Sequence, residues 1–352
     1  MIKIFLPKFW YRRSVLSYTL LPFAWIYQSF FAAYKYCYRF LPKIKFPVPI
    51  IVVGNITVGG TGKTPLVIYL AELLKLKGYK VGVVSRGYGR KCADNSLFLT
   101  ASSKAIDVGD EPLLIFHRTG CPVVVDKDRV NAVKQLLKLY NCDVVISDDG
   151  LQHYNLSRDM EIVVIDARFK FGNGFCLPAG PLREPISRLK SVDFVIKNSN
   201  TDSCSLLQTD IVGYSMCIVP VSFINVKDPS RTKSLDEFKG STVHGVAGIA
   251  MPEKFFYTLG QLGLQVIDHP FPDHYVFNSK DFAFKENEIV IMTEKDAIKC
   301  REFVGENFWY LEIKVRLEKN LEEEFYRKVT TKLSSPFKKD SKTKLESINK
   351  SL

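Results

Sequence analysis

The stretch that most constrains the fold is a glycine-rich segment, NITVGGTGKTPL, which spans residues 55–66. It follows a continuous apolar run at 47–53, which suits a strand buried on both faces of a sheet. Helix-type periodicity begins at Lys63 and continues to Lys77. A buried strand, a glycine-rich turn and a helix in this order form a loop whose backbone N–H groups bind phosphate at a helix N-terminus. The segment therefore predicts an α/β fold of the P-loop NTPase type.

The loop departs from the usual G-x-x-x-x-G-K-[ST] spacing at one position, since Thr57 stands where the first glycine is expected. That position opens the turn before the chain reaches the phosphates, so a small β-branched residue is tolerable there. Lys63 is expected to place its charge over the β- and γ-phosphates of ATP, and the Thr64 hydroxyl to bind Mg²⁺. An ordinary glycine-rich turn between strand and helix is the alternative. The predicted nucleotide-binding residues are Thr57, Val58, Gly59, Gly60, Thr61, Gly62, Lys63 and Thr64.

Strand-type and helix-type segments alternate through residues 80–196, which predicts a mostly parallel, doubly wound sheet flanked by helices. A second alternation after about residue 220 predicts a smaller α/β domain. Lys, Ser and Thr dominate the sequence from Ser334 on, and we expect no regular structure there. The predicted division is a membrane-associated segment at 1–45, a P-loop domain at 46–219, the smaller α/β domain at 220–333 and a basic disordered tail at 334–352.

The net charge of +12 is concentrated at the two ends of the chain. Residues 1–45 contain eight Lys or Arg and no acidic residue, and the tail from Pro336 contributes a further +3. The intervening residues are close to neutral, so the body of the protein has no basic stripe of the kind that nucleic-acid binders carry. The eight cysteines show no spacing typical of zinc ligands. Composition therefore argues against nucleic acid as a partner and against a zinc site.

Residues 14–34 form 21 consecutive uncharged residues, a length that permits a membrane-spanning helix. Pro22 near the middle, several polar residues and the fourteen aromatics among residues 1–45 instead favour a helix that lies at the membrane interface. Basic residues on both sides would strengthen binding to an anionic leaflet. A single membrane span, a cleaved signal peptide and a buried core helix are the alternatives, and an ATP-dependent site argues against the signal peptide.

Two adjacent carboxylates, Asp148 and Asp149, follow a strand-type segment at 143–147. They would lie at the carboxyl end of a buried strand beside the phosphate loop, where a nucleotide-bound Mg²⁺ needs an acidic partner. A loop-forming Asp-Asp-Gly turn is the alternative. Phosphoryl transfer also needs a group that takes the acceptor's proton. Asp110 is one candidate, with a helix N-cap as the alternative, and His274 is another, with a solvated loop residue as the alternative.

These features together resemble the tetraacyldisaccharide 4'-kinases of lipid A synthesis, from about residue 10 to residue 315. Eight blocks in one order carry the resemblance: VVGNITVGGTGKTP, SRGYGR, GDEP, SDDGLQH, LPAGPLREP, VAGIAMPEKFF, FPDHY and MTEKDAIK. The family's own loop has a residue other than glycine at the place of Thr57. Two departures, at residues 250–251 and 89–91, fall in loops and bear on substrate contacts.

The resemblance implies transfer of the ATP γ-phosphate to the 4'-hydroxyl of a tetraacylated glucosamine disaccharide 1-phosphate, with ATP and Mg²⁺ as cofactors. It implies that Asp110 and His274 act together on the sugar hydroxyl, with Lys63 as a further catalytic residue. It places the enzyme at the cytoplasmic face of the bacterial inner membrane, where residues 1–45 would anchor it beside its lipid-linked substrate. The predicted Mg²⁺ ligands are Thr64, Asp148 and Asp149. The predicted substrate contacts are Arg86, Glu111, Arg183 and Glu184.

A membrane-surface ATPase switch of the same P-loop class, acting on a protein partner, is the main alternative function. A guanine-specific switch would need an N-K-x-D element, which neither residues 197–200 nor residues 294–296 supply. A nucleic-acid-dependent ATPase and a protein with a vestigial loop are the remaining alternatives. No sequence feature points to an obligate protein partner.

Overall fold

The computed structural model describes residues 7–90, 96–199 and 211–334. Within these residues thirteen strands belong to one sheet, accompanied by nine α-helices. The tail predicted from residue 334 onward lies, beyond Ser334 itself, outside the described residues. The strands are β1 (Ile50–Gly54), β2 (Val81–Ser85), β3 (Leu97–Phe98), β4 (Val123–Val125), β5 (Val144–Asp148), β6 (Met160–Asp166), β7 (Phe194–Ser199), β8 (Tyr214–Asn225), β9 (Thr232–Lys233), β10 (Thr242–Ala247), β11 (Gln265–Pro270), β12 (Ile289–Thr293) and β13 (Phe308–Leu317). The α-helices are α1 (Val15–Thr19), α2 (Leu21–Phe40), α3 (Lys63–Leu76), α4 (Ala105–Val108), α5 (Asp110–Thr119), α6 (Arg129–Leu139), α7 (Pro252–Gln261), α8 (Glu294–Cys300) and α9 (Lys319–Leu333).

The strand order is β11-β10-β12-β13-β8-β7-β6-β1-β5-β2-β4-β3, with β9 paired to β8. From β7 to β4 all neighbouring strands are parallel. Every residue of β1, β2, β4 and β5 is buried, which is why these strands appear in the sequence as continuous apolar runs. The predicted α/β fold with a mostly parallel sheet flanked by helices is confirmed.

Helix α3 links the phosphate loop to the core. Its buried side chains include Leu66, Leu70 and Leu74, which are four residues apart and so lie on one face of the helix. The helix begins after Gly62 and ends at Leu76, with Lys77 as its C-cap, and the next residue, Gly78, has a φ of 86°, the left-handed conformation that commonly terminates helices. The packed face fixes the helix against β1, and therefore fixes the loop between them.

Strand β8 joins the two halves of the sheet. It pairs in parallel with β7 and antiparallel with β13, so the sheet continues from the P-loop half into the C-terminal half. The predicted domain boundary between residues 219 and 220 falls within this strand. Helix α9 returns to the first half, where Leu321, Phe325 and Val329 are buried in the same cluster as α3. The division into two domains stays a prediction, and the two parts share one sheet.

Helices α1 and α2 form most of the described N-terminal segment. Pro22 lies in the first turn of α2, where its missing N–H has no intrahelical partner to lose, and Leu20 separates the two helices. Many large apolar side chains on α2 are exposed, among them Phe23, Trp25 and Phe30. Among the described residues, none of the helices combines the length and the apolar character needed to cross a membrane.

Candidate active site

Two amide side chains, those of Asn198 and Asn55, donate hydrogen bonds to backbone carbonyl oxygens of the phosphate loop. Gly62, at the start of α3, has a φ of 92°, and a Cβ added there would lie 2.4 Å from Nδ2 of Asn198. That Nδ2 donates to the carbonyl oxygen of Thr61 at 2.9 Å. On the other side of the loop, Nδ2 of Asn55 donates to the carbonyl oxygen of Gly59 at 3.3 Å. Only glycine fits at position 62, because the backbone conformation and the packed amide both exclude a side chain.

Thr57 begins the loop as a short extension of the sheet. It is buried and forms an isolated antiparallel bridge with Leu182. The N–H of Val58 donates to the carbonyl oxygen of Pro181 at 2.8 Å, and the N–H of Arg183 donates to the carbonyl oxygen of Ile56 at 2.7 Å. This pairing holds the chain extended, so the loop does not need the conformational freedom of glycine at its first position. The LPAGPLREP segment therefore supports the phosphate loop.

The two adjacent aspartates lie beside the loop. Asp148 ends β5 opposite Val53 of β1, and Asp149 follows with a φ of 47°. Nζ of Lys63 lies 3.7 Å from Oδ1 of Asp149, and Nη1 of Arg183 lies 3.3 Å from its Oδ2. Oδ1 of Asp148 and Oδ1 of Asp149 are buried and accept no hydrogen bond within the described residues. Two such oxygens beside the phosphate loop fit the coordination chemistry of Mg²⁺.

The surroundings push the pKa values of the two aspartates apart. Burial, and then the charges of Glu111 and Asp149, raise the pKa of Asp148 to about 7. Burial would also raise the pKa of Asp149, but Lys63 and Arg183 outweigh it and lower that pKa. The neighbouring cations therefore favour the ionised form of Asp149, whereas burial and the neighbouring carboxylates favour the protonated form of Asp148.

A buried arginine supports this pair from behind the sheet edge. The Arg129 side chain is fully buried, and it donates from Nη1 to the carbonyl oxygen of Asp126 at 2.6 Å and from Nη2 to that of Asp148 at 3.2 Å. Burial lowers the pKa of Arg129 to about 10, although Asp148 and Asp149 act in the opposite direction. The sequence analysis did not select Arg129, because a lone arginine at the start of a helix carries no local signal of burial.

Asp110 and His274 come together from opposite halves of the sheet. Nδ1 of His274 lies 3.0 Å from Oδ2 of Asp110, across 164 residues of sequence. Asp110 is the first residue of α5, preceded by Gly109 with a φ of 93°, and His274 itself has a φ of 59°. The ring of Tyr88 lies 5.2 Å from the imidazole, centroid to centroid. The predicted pair therefore forms a hydrogen-bonded unit at the N-terminus of a helix.

Two lysines of α8 complete this unit, and the sequence analysis selected neither. Nζ of Lys299 lies 3.7 Å and Nζ of Lys295 lies 4.0 Å from Oδ2 of Asp110. Burial alone would raise the pKa of Asp110, but the hydrogen bond from His274 and the charges of Lys299 and Lys295 lower it. Asp110 is therefore a carboxylate at neutral pH, able to accept a proton. A spacing of four residues on a predicted helix is the signal that could have linked the two lysines.

The remaining predicted site residues differ in their positions relative to Asp110 and His274. Thr64 is the second residue of α3, and Arg86 is exposed in the loop after β2. Glu111 follows Asp110 and is near enough to raise the pKa of both Asp148 and Lys295. Arg183 contacts Asp149, as described above. Among the described residues, no group of three or more His, Cys, Asp or Glu side chains is arranged so that it could hold a metal ion.

Glu184 differs from the other predicted substrate contacts because it is buried. Its carboxylate accepts hydrogen bonds from Nε2 of Gln152 at 2.8 Å, from Nε of Arg188 at 3.1 Å and from the hydroxyl of Tyr154. These donors hold Glu184 within the protein, directly after Arg183. Any contact between Glu184 and a substrate stays a prediction.

A cavity of about 460 Å³ lies between α2 and the segment that follows Arg183. Tyr27, Phe31 and Lys35 line it from α2, and Arg183 and Arg188 line it from the opposite side. The hydroxyl of Tyr27 donates to the carbonyl oxygen of Arg183 at 3.0 Å. The cavity therefore connects the apolar N-terminal helix to an arginine that contacts the aspartate pair.

The two loops that depart from the family's sequence pattern, at residues 250–251 and 89–91, taken together lie only partly within the described residues. Met251 lines a small recess beside Thr57–Thr61, and its sulfur lies 3.6 Å from Nη2 of Arg168. Arg90 is buried and donates from Nη1 to the carbonyl oxygen of Val125 at 3.2 Å, whereas Lys91 lies outside the described residues. Met251 therefore borders the phosphate loop, and Arg90 binds the end of β4.

Comparison with known proteins gives one consistent result. Residues 16–330 match the model of a family described as tetraacyldisaccharide-1-P 4'-kinase (LpxK). The chain is 46% identical over 323 residues to a tetraacyldisaccharide 4'-kinase of Ruthia magnifica, covering 91% of this chain and 98% of the relative. It is 44% identical over 328 residues to the enzyme of the same name from Methylobacillus flagellatus, covering 92% and 96%. The crystal structure of LpxK from Aquifex aeolicus in complex with ATP is similar with a TM-score of 0.75 and 32% identity, over 90% of this chain and 100% of that one.

Proposed function

The chain belongs to the tetraacyldisaccharide 4'-kinase family and transfers the γ-phosphate of ATP to the 4'-hydroxyl of tetraacyldisaccharide 1-phosphate in lipid A synthesis, and we propose that Asp110 and His274 together activate that hydroxyl. The observation that carries the proposal is the hydrogen bond of 3.0 Å between Nδ1 of His274 and Oδ2 of Asp110. Asp110 is held ionised by three cationic or hydrogen-bonding neighbours. An ionised carboxylate is a suitable acceptor for the proton of the attacking hydroxyl.

Residues 57–64 would bind the phosphates of ATP. Backbone N–H groups of the loop would bind the phosphate oxygens of ATP, and Lys63 would balance their charge. Thr64, Asp148 and Asp149 would hold Mg²⁺, which when bound neutralises charge on the β- and γ-phosphates. Nζ of Lys63 lies 3.7 Å from Oδ1 of Asp149, so the lysine is held beside the proposed metal ligands.

The sugar side would be approached from the cavity beside α2. Arg183 connects the cavity to the aspartate pair, and Lys35 and Arg188 add positive charge that suits an anionic sugar phosphate. Glu184 would act indirectly by fixing the segment that carries Arg183. Glu111 lies next to Asp110, and Arg86 is exposed after β2, so both would be available to contact the acceptor. The family relationship gives no support to the alternative of an ATPase switch that acts on a protein partner.

The N-terminal segment would hold the enzyme at the cytoplasmic face of the inner membrane, where both ATP and the lipid substrate are available. Exposed aromatic side chains on α2 would enter the interface, and the basic residues of 1–45 would bind anionic headgroups. The cavity borders this helix, so a substrate whose acyl chains stay in the leaflet could place its headgroup beside Arg183.

The test of the proposed chemistry is a kinase assay in mixed micelles with ATP, Mg²⁺ and tetraacyldisaccharide 1-phosphate. Asp110→Asn and His274→Ala should each lower kcat by about 10²–10⁴-fold, while KM for ATP changes little, since neither residue contacts the phosphate loop. His244→Ala is the control, because His244 pairs with His269 at 2.9 Å, away from this centre. If both site variants turn over as fast as wild type, the assignment is wrong.

The anchor is tested by flotation with vesicles of phosphatidylethanolamine and phosphatidylglycerol. A variant with serine in place of Phe23, Trp25 and Phe30, which are 60%, 61% and 74% exposed, should bind at least about tenfold more weakly, because each aromatic contributes roughly 1.5–3 kcal/mol when buried. Equal binding by this variant and wild type would contradict the anchor. The control variant carries serine at three exposed apolar positions elsewhere: Leu76, Leu139 and Tyr257.

A further inference from the structure

The ammonium of Lys295 lies close to both His274 and Asp110. Its Nζ lies 3.4 Å from Nε2 of His274, the ring nitrogen that faces away from Asp110. The same Nζ lies 3.2 Å from Oδ1 of Asp273 and 4.0 Å from Oδ2 of Asp110. A single ammonium therefore borders both members of the pair as well as the residue that precedes His274.

The two lysines of α8 differ in how firmly they are held. Nζ of Lys299 lies 2.7 Å from Oδ1 of Asp296, donates to the carbonyl oxygen of Tyr275 at 3.0 Å and lies 4.9 Å from the centre of the Phe277 ring. All three of these partners of Lys299 belong to the C-terminal half of the sheet and its flanking segments. Lys295 has no comparable set, and within the described residues its Nζ contacts Nε2 of His274, Oδ1 of Asp273 and Oδ2 of Asp110. Lys299 also lies 3.7 Å from Oδ2 of Asp110, but within the described residues Lys295 is the one of the two lysines that contacts His274.

An ammonium group can only donate hydrogen bonds, and this fixes the role of its neighbour. Nε2 of His274 must present its lone pair to Lys295, because an N–H at that position would face the ammonium with no acceptor between them. The imidazole proton then belongs on Nδ1, from which it is donated to Oδ2 of Asp110. Lys295 stays charged, since Glu111, Asp273 and Asp110 raise its pKa although burial acts to lower it.

Asp273 is the group that could favour the other tautomer. Its Oδ2 lies 3.8 Å from Nε2 of His274, too far for a hydrogen bond, whereas its Oδ1 is paired with Lys295 at 3.2 Å. Nε2 of His274 lies closer to Nζ of Lys295 than to Oδ2 of Asp273. The ammonium therefore determines which ring nitrogen carries the proton. The closest contacts of Asp110 with His274, Lys295 and Lys299 are all made through Oδ2.

We propose that Lys295 is a positioning residue of the phosphoryl-transfer site, whose ammonium holds His274 in the tautomer that carries its proton on Nδ1 and donates it to Asp110. The inference rests on the proposed roles of Asp110 and His274. In this arrangement His274 orients Asp110 and stabilises its charge, and Oδ1 of Asp110 takes the proton of the sugar hydroxyl. Removal of Lys295 would release the imidazole to take the other tautomer, in which Nδ1 no longer donates to Asp110.

The direct test is ¹⁵N NMR of the histidine rings in the full chain, in micelles, at a pH where the imidazoles are neutral. The chain has five histidines, and His274→Ala identifies the signals of His274 by their loss. We expect a protonated Nδ1 and an unprotonated Nε2 in wild type. In Lys295→Met the signal should move towards the Nε2-protonated form, and in Lys295→Arg it should stay close to wild type. A wild-type ring protonated on Nε2, or a tautomer unchanged in Lys295→Met, would overturn the proposal.

Kinetic measurements distinguish a failure of the positioning role of Lys295 from a failure of the proposed roles of Asp110 and His274. Lys295→Met should lower kcat about tenfold or more with KM for ATP unchanged, and Lys295→Arg should recover most of the loss. Lys280→Met, which removes an exposed lysine, is the control and should match wild type. Full activity of Lys295→Met would refute the positioning role, even if Asp110→Asn and His274→Ala are inactive. Activity of those two variants would instead refute the catalytic pair, whatever the tautomer.

Discussion

Replacing Gly62 by alanine should destabilise the protein even in the absence of nucleotide. The added Cβ would lie 2.4 Å from Nδ2 of Asn198, and the residue has a φ of 92°. Forcing a non-glycine residue into the left-handed region costs about 1–2 kcal/mol. Displacing the Asn198 amide also removes its hydrogen bond to the carbonyl oxygen of Thr61, which is worth about 0.5–1.5 kcal/mol. We therefore expect a loss of about 2–3 kcal/mol in the free energy of unfolding.

The loss can be measured as a shift in thermal unfolding, followed by intrinsic fluorescence. An unfolding entropy of about 2.1 cal/mol/K per residue implies that 2–3 kcal/mol lowers Tm by about 3–4 °C in a chain of 352 residues. Gly60→Ala is the matched control in the same loop, because a Cβ added at Gly60 meets no atom within 4 Å. Its Tm should stay close to that of wild type when no nucleotide is present.

A double variant tests whether Asn198 is the cause. Adding Asn198→Ala to Gly62→Ala removes the steric conflict and leaves the backbone strain, so the combined loss should be smaller than the sum of the two single losses. Equal Tm values for the Gly62 and Gly60 variants would refute the reasoning. Strictly additive losses would show that Asn198 and Gly62 do not contact each other as described.

Two further predictions concern buried charge. Arg118→Met leaves Glu294, whose side chain is 9% exposed, without the guanidinium whose Nη1 donates to both carboxylate oxygens at 2.8 and 2.9 Å, and should cost about 3–5 kcal/mol of stability. Lys104→Met, which breaks an exposed ion pair, should cost less than about 1 kcal/mol, and equal Tm shifts would contradict the prediction. Burial, followed by two neighbouring carboxylates, raises the pKa of Asp148 from 3.8 to about 7, so the Mg²⁺-free protein should lose stability as pH rises through that interval. Asp148→Asn should flatten the dependence of Tm on pH, and an unchanged slope would show that another group causes it.

The phosphate loop and the strand that ends at Asp148 could be predicted from sequence because their signals are local. A buried strand, a glycine-rich turn and a helix follow one another within about thirty residues, and parallel strands bring their carboxyl ends to one edge. The extended conformation of Thr57 depends on pairing with Leu182, which lies far away in sequence. The local pattern therefore located the loop, and only the structure explains why its first position need not be glycine.

Two elements escaped the sequence analysis for different reasons. Strand β8 contains Pro220, which argues against a central strand, and the structure accommodates it beside an irregularity of the ladder at residues 312–313 of β13. Helix α9 is rich in charge, but Leu321, Phe325 and Val329 recur every four residues and are buried. That spacing is the signal that could have predicted the helix.

The pairing of Asp110 with His274 could not be derived from residue physics alone. Asp110 fitted a helix N-cap and His274 fitted a solvated loop residue, and only the family resemblance joined them. Asp110 and His274 are 164 residues apart, and they meet where α5 of the first half packs against α8 of the second, which no local pattern reveals. Lys295 was missed for the same reason, since its burial depends on how the two halves meet.

The central claim is that Asp110 and His274 act as one unit, and a kinetic double-mutant cycle tests it most directly. The measurement is the single-turnover rate of γ-phosphate transfer to the lipid in wild type, Asp110→Asn, His274→Ala and the double variant. If the pair acts as a unit, the double variant should be within a few-fold of the slower single variant. Rate losses that multiply in the double variant would show two independent contributions and contradict the account.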